Sequence, residues 1–287
     1  MSTLSHDSQS RRDIPLGLPT LDSVFRGGVP SGTSILLSGE VGAGANEFVY
    51  TSTAMVSMAR TDPETFRIYT DTEVEPDAVP DEVHYVSFMR TRNDVLDEMR
   101  SVLDDAMYES LSSNIVFEDF SDEYFRNTVV PRSWVDEELS DLRSLGEAKD
   151  DSLLSAFADY LDEKASDSIV VIDSLTSLVR ASRYRLDWGE ILVMLAGLQR
   201  ATQRWDGLIY AVLDKDTLEP REHQEIASIF DGIFHFDWVE GDTERQRMMY
   251  VGSFRGAMGR MTGQEDDKYE TEITEEGFEI SNIRKIK

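Results

Sequence analysis

The segment that most constrains the fold is Ser34–Ser38, a short apolar run leading into glycines at 39, 42 and 44 and then into the helical-looking stretch Asn46–Ala59. A strand that passes through a glycine-rich loop into a helix is the setting of a phosphate-binding loop. The glycines let backbone N–H groups turn inward, and the helix N-terminus adds partial positive charge. Other short apolar runs rich in β-branched or aromatic residues, separated by helical stretches, suggest an α/β chain with a mostly parallel, buried sheet.

The predicted strands are Ser34–Ser38, Arg67–Thr70, His84–Phe88, Asn114–Phe117, Ser168–Asp173 and Gly207–Asp214. Gly232–Val239 and Arg247–Phe254 flank Glu240-Gly241-Asp242 and read as an antiparallel hairpin closing the sheet edge, with Tyr269–Thr274 and Gly277–Ile283 as a last pair. Helical periodicity marks Asn93–Leu111, Ser152–Ala165 and Trp188–Trp205; in the last, Ile191, Leu192, Leu195 and Leu198 share a face. Met1–Asp13 reads as a disordered tail and residues 14–287 as a single domain. Within it the acidic, poorly periodic segment Glu118–Asp151 reads as a mobile, solvated insertion.

Composition narrows the function. The 287 residues carry 56 acidic against 28 basic side chains, a formal charge of −28, yet 40% are hydrophobic, enough to build a core. Such a field repels phosphate backbones and anionic lipid, which disfavours nucleic-acid and membrane partners. Only six of the basic residues are lysines and none lies in the first 148 positions. An acid-rich, lysine-poor, folded chain suits a cytoplasm held at molar salt, where the Debye length shrinks to about 3 Å, so a salt-loving archaeal source is expected. The absence of cysteine excludes disulfides, thiolate nucleophiles and Cys-ligated metal. The four histidines show no ligand spacing, and no 18-residue apolar run or secretory signal is visible. The chain reads as soluble and cytoplasmic.

The loop departs from the phosphate-binding signature GxxxxGK[ST] at both chemical positions. Ala45 stands where the lysine belongs and Asn46 where the Ser/Thr belongs, with Glu47 next. There is no ammonium for the β/γ phosphates, no hydroxyl for Mg²⁺, and a negative charge where a triphosphate would approach. The nucleotide-cradling candidates are Gly39, Gly42, Ala43, Gly44, Ala45, Asn46 and Glu47.

The lead-in Gly17-Leu-Pro-Thr-Leu-Asp22 with Gly27-Gly28-Val-Pro-Ser-Gly32 resembles the KaiC-like branch of the RecA-type ATPases. So do Ser168-Ile-Val-Val-Ile-Asp173-Ser-Leu-Thr-Ser-Leu, a strand ending in an acid, and the run from Ile229 to Arg255-Gly256. The likeness spans about Ile14 to Ile283. It implies a RecA-like P-loop fold with a C-terminal antiparallel hairpin, ATP as ligand, and Mg²⁺ held by Asp173, with Asn46 a weak substitute for the missing hydroxyl. It also implies a water-orienting carboxylate after the strand that follows the phosphate loop, often two adjacent glutamates. Asp71 is the best positional match and Glu73 the alternative. Asp214 stands at a site that relatives give to a neutral polar sensor. Arg255 matches a basic residue that touches nucleotide on a neighbouring subunit, while Ser253 replaces the lysine beside it.

Three functions follow from this resemblance. The leading one is a degenerate, non-hydrolysing regulatory or assembly partner that binds ATP weakly or not at all, its own partner being a second copy or an intact KaiC-like ATPase. The alternative is a slow ATPase that cradles ATP with Gly39–Gly44, holds Mg²⁺ on Asp173 and orients water with Asp71 or Glu73. The third is a DNA-recombination or repair paralogue, against which the −28 charge weighs.

Overall fold

The computed structural model describes residues 11–135, 152–240, 245–255 and 268–284. Strand β1 (Asp13–Ile14) pairs with β2 (Val29–Pro30) around helix α1 (Pro19–Val24), and β3 (Thr33–Gly39) then enters the glycine loop. Next come α2 (Ala45–Thr61), α3 (Pro63–Thr70), β4 (Glu82–Ser87), α4 (Arg92–Val102), α5 (Asp105–Asn114), β5 (Ile115–Asp119) and α6 (Ser121–Phe125). The second half supplies α7 (Leu153–Lys164), β6 (Ser168–Asp173), α8 (Leu175–Ser182), α9 (Trp188–Trp205), β7 (Leu208–Asp214) and α10 (Pro220–Ala227). Strands β8 (Gly232–Glu240), β9 (Arg245–Phe254), β10 (Lys268–Thr274) and β11 (Gly277–Arg284) complete it.

Among the described residues these strands form one large sheet in the order β11-β10-β9-β8-β3-β7-β6-β4-β5. The six from β8 to β5 run parallel. The last three are antiparallel. The β8–β9 pair is therefore not the sheet edge, since the hairpin β10–β11 extends it outward. The turn expected at Glu240-Gly241-Asp242 lies mostly outside the described residues.

Both faces of the sheet are covered, and β3 shows how. Ile35 and Leu37 point to one side, into a core with Phe48, Phe234 and Phe236. Leu36 points to the other, into a core with Ile172, Leu175 and Leu195. Period-two alternation thus feeds two apolar layers, which is why the central strands read as continuous hydrophobic runs. Helix α2 is buried all round from Phe48 to Ala59.

Three expectations need correcting. Arg67–Thr70 is the end of a helix, not a strand: Asp62 caps the first turn of α3 by accepting from the Thr65 amide, and Pro63 starts it. The single helix expected over Asn93–Leu111 is two, because Leu103 is extended and Asp104 starts a new helix by accepting from the Met107 amide. The first part of the expected insertion is packed rather than solvated. Phe120 and Tyr124 are buried, Phe120 lies edge-on to Phe157 with ring centroids 5.9 Å apart, and the Tyr124 hydroxyl donates to the Ser177 carbonyl. Residues 136–151 and the tail up to Ser10 lie outside the described residues, while Asp13 is already paired with Pro30 in β1–β2.

Candidate functional site

In open α/β sheets ligands bind beyond the carboxyl ends of the strands, and there the chain forms a cleft of about 530 Å³. One wall is the glycine loop and the first turn of α2, with Gly39, Gly42, Ala45, Asn46 and Glu47; the other holds Arg90, Glu98, Asp173, Arg180 and Asp214. Gly44 is required by the backbone. Its φ of +115° is left-handed, and a Cβ there would lie 2.9 Å from the Phe278 ring of β11. Ala43 is buried, and its amide closes the loop on the Glu40 carbonyl at 3.0 Å. Among the described residues Asn46 and Glu47 have no side-chain partner.

Asp173 ends β6 in the cleft and is buried. Its Oδ2 accepts from the Tyr85 hydroxyl on β4 and from Arg90 Nη1 at 3.1 Å. Arg90 also pairs with Glu98 on α4. The Tyr50 hydroxyl joins them, donating to Glu98 Oε2 at 3.0 Å and accepting from Arg90 Nη1 at 3.1 Å. Local sequence sets Arg90 in place. Ser87 Oγ accepts from the Arg90 amide at 2.9 Å and donates to its carbonyl at 2.8 Å, and a Thr91–Asp94 capping box starts α4 immediately after.

The electrostatics are those of a pair with a buried carboxylate and a partly exposed guanidinium. Burial raises the Asp173 carboxyl above the ordinary carboxylate range, while the Tyr85 hydroxyl and the Arg90 guanidinium pull it back down. Burial works against the Arg90 charge, but Tyr50, Tyr85 and Asp173 more than offset it and hold its pKa above the ordinary value. The phenols of Tyr50 and Tyr85 are raised, chiefly by burial, and stay neutral donors.

The remaining predicted residues scatter. Asp71 is exposed, capping the end of α3 in a left-handed conformation, and exposed Glu73 pairs with Arg67 at 3.6 Å; neither lines the cleft. Both were positioned by a strand at Arg67–Thr70 that is a helix. The strand that follows the phosphate-loop helix is β4, and it leads into Phe88-Met89-Arg90, so a guanidinium stands where the resemblance implies a carboxylate. Asp214 does line the cleft, but its Oδ1 accepts from the Asp216 amide and its Oδ2 from the Thr217 hydroxyl, in a turn of its own. Arg255 follows β9 at the far end of the sheet. Phe254 pairs with Gly232 and Gly232 with Ile35, four residues and about 13 Å along β3 from Gly39. There its guanidinium donates to the Ser228 carbonyl.

These donors do not fit a magnesium-bound triphosphate. Position 45 offers no ammonium, position 46 offers an amide in place of a hydroxyl, and Asp173 Oδ2 already serves Tyr85 and Arg90. Among the described residues no group of three or more His, Asp or Glu side chains is arranged to hold a metal, and no helix is long and apolar enough to cross a membrane.

No protein-family model matches the chain, and no curated protein matches it. Among solved structures it is similar to a KaiC-like protein from the hyperthermophilic archaeon Pyrococcus horikoshii, at 19% identity and a TM-score of 0.62, over 95% of this chain and 100% of that one. At this identity the likeness establishes the fold, a KaiC-like, RecA-type sheet with a C-terminal antiparallel hairpin.

Proposed function

We propose that this chain is a degenerate KaiC-like protein of the RecA superfamily that does not hydrolyse ATP, binds it weakly or not at all, and works as a regulatory or assembly partner in a salt-adapted archaeal cytoplasm. The observation that carries the reading is the Arg90–Asp173 pair. Where hydrolysis needs a divalent cation on a free carboxylate and a second carboxylate to orient water, an internal guanidinium occupies the first and replaces the second. Ala45 and Asn46 support the same reading, because phosphoryl transfer depends on fixed positive charge aimed at the developing negative charge. The partner is a second copy or an intact KaiC-like ATPase, of which only the latter would supply nucleotide chemistry, and Arg255 at the far end of the sheet is the candidate contact to it.

The slow-ATPase reading has one observation in its favour, the preserved glycine loop beside an open cleft. Calorimetry in molar KCl with Mg²⁺ separates the two. Wild type and Ala45→Lys/Asn46→Thr are compared with the same pair of substitutions combined with Arg90→Glu. Appreciable ATP binding is expected only once Arg90 has released Asp173. Tight binding by wild type with steady phosphate release would refute the proposal.

A further inference from the structure

We propose that strands β8 and β9 act as a clamp that sets the conformation of the glycine loop from outside the cleft. Three successive loop residues are tied to this pair of strands. The Glu40 amide donates to the Phe236 carbonyl at 3.0 Å, and its carboxylate takes Arg245 at 3.4 Å and Lys215 at 3.2 Å. Lys215 is itself anchored to Asp237 at 2.6 Å. The Val41 carbonyl accepts from Trp238 Nε1 at 3.2 Å, and the Gly42 carbonyl from Arg247 Nε at 3.0 Å. Trp238 and Arg247 are cross-strand partners, and the guanidiniums of Arg247 and Arg245 lie 4.5 and 5.2 Å from the indole centroid.

Packing holds neither Val41 nor Gly42. The Val41 side chain is 79% exposed, and a Cβ at Gly42 would meet nothing within 4 Å. The Val41 and Gly42 carbonyls are therefore held by the Trp238 and Arg247 donors rather than by side-chain packing. Because Arg247 must stack on the indole to aim its Nε–H, the two side chains form one unit rather than two independent contacts. A displacement of β8 and β9 by anything that binds them is therefore felt in the cleft. This coupling holds whether or not the cleft takes nucleotide, so it stands or falls separately from the proposed function.

Hydrogen exchange read by mass spectrometry over residues 39–47 tests it in the full chain at molar KCl. Trp238→Leu removes the indole N–H together with the ring on which Arg247 stacks; Arg247→Met removes the guanidinium and keeps the stem. Each is expected to speed loop exchange about five- to tenfold, the scale of one lost hydrogen bond, with exchange in the core strands unchanged. The double variant is expected to resemble either single one, as for coupled residues. Loop exchange at the wild-type rate in the double variant, or singles whose effects simply multiply, would overturn the clamp. Should Arg247→Met fold poorly, unchanged loop exchange in Trp238→Leu alone overturns it equally.

Discussion

Arg90 Nη1 lies 3.1 Å from Asp173 Oδ2, joining side chains 83 residues apart across the pairing of β4 with β6. The pair lines the cleft at the carboxyl end of β6, so the Asp173 carboxylate has its counter-charge within the chain. Removing one member of a buried pair strands the other. Asp173 is nearly sealed and Arg90 is 28% exposed, which moderates the penalty. Arg90→Met is expected to cost about 2–4 kcal/mol, read from urea unfolding in molar KCl. Asp173→Asn is expected to cost less, since the amide oxygen still accepts from Tyr85.

Histidine protonation sets an acid limit. Burial lowers the His235 pKa from 6.5 to about 4, with Asp237 opposing and His223 and Lys215 assisting, and His223 is lowered as well, chiefly by burial. As pH falls below 6.5 the unfolded chain takes up protons that the folded one refuses, so this contribution to stability declines until about pH 4. Asp22 acts in the opposite sense. Burial raises its carboxyl to about 6, against the Leu16 and Gly17 amides that it holds, so its protonation favours the fold between about pH 6 and 3.8. His235→Gln should flatten the fall of the urea midpoint on acidification and Asp22→Asn should steepen it.

Gly44 tests whether the C-terminal hairpin really closes over the loop. Gly44→Ala must accept a left-handed backbone and push against Phe278, so a loss of about 1–3 kcal/mol is expected. Gly42 is also left-handed but has open space around it, so Gly42→Ala should cost less, by the backbone term alone.

Charge predicts the response to salt. With a net −28, self-repulsion is screened as the Debye length falls from about 10 Å at 0.1 M to about 3 Å at 1 M. The melting temperature should rise steadily from dilute buffer to molar KCl. Equal stability at both ends would contradict a salt-adapted origin.

The fold was largely legible because its signals are local. Ser168–Asp173 and Trp188–Trp205 appear with the bounds their periodicity implies. Arg67–Thr70 misleads because Ile68 and Tyr69 favour strands, while the stronger signal sits upstream, in the Asp62 cap and Pro63. Half of the site was legible on the same terms: the glycine loop and Asp173 are motifs in the linear sequence. Arg90, Tyr85 and Glu98 are not, since only the placement of β4 beside β6 brings them to Asp173. One clue was available. Once β4 is taken as the strand after the phosphate loop, the position implied for a carboxylate falls on Met89-Arg90. The Trp238–Arg247 clamp had no sequence signal, because cross-strand register alone creates it.

The most direct measurement is equilibrium binding of ATP with Mg²⁺ to the wild-type protein, by calorimetry in molar KCl near neutral pH with phosphate release followed in parallel. With Arg90 seated on Asp173, no saturable heat up to millimolar ATP and no phosphate above background are expected. Saturable one-to-one binding in the micromolar range with steady turnover would contradict the reading.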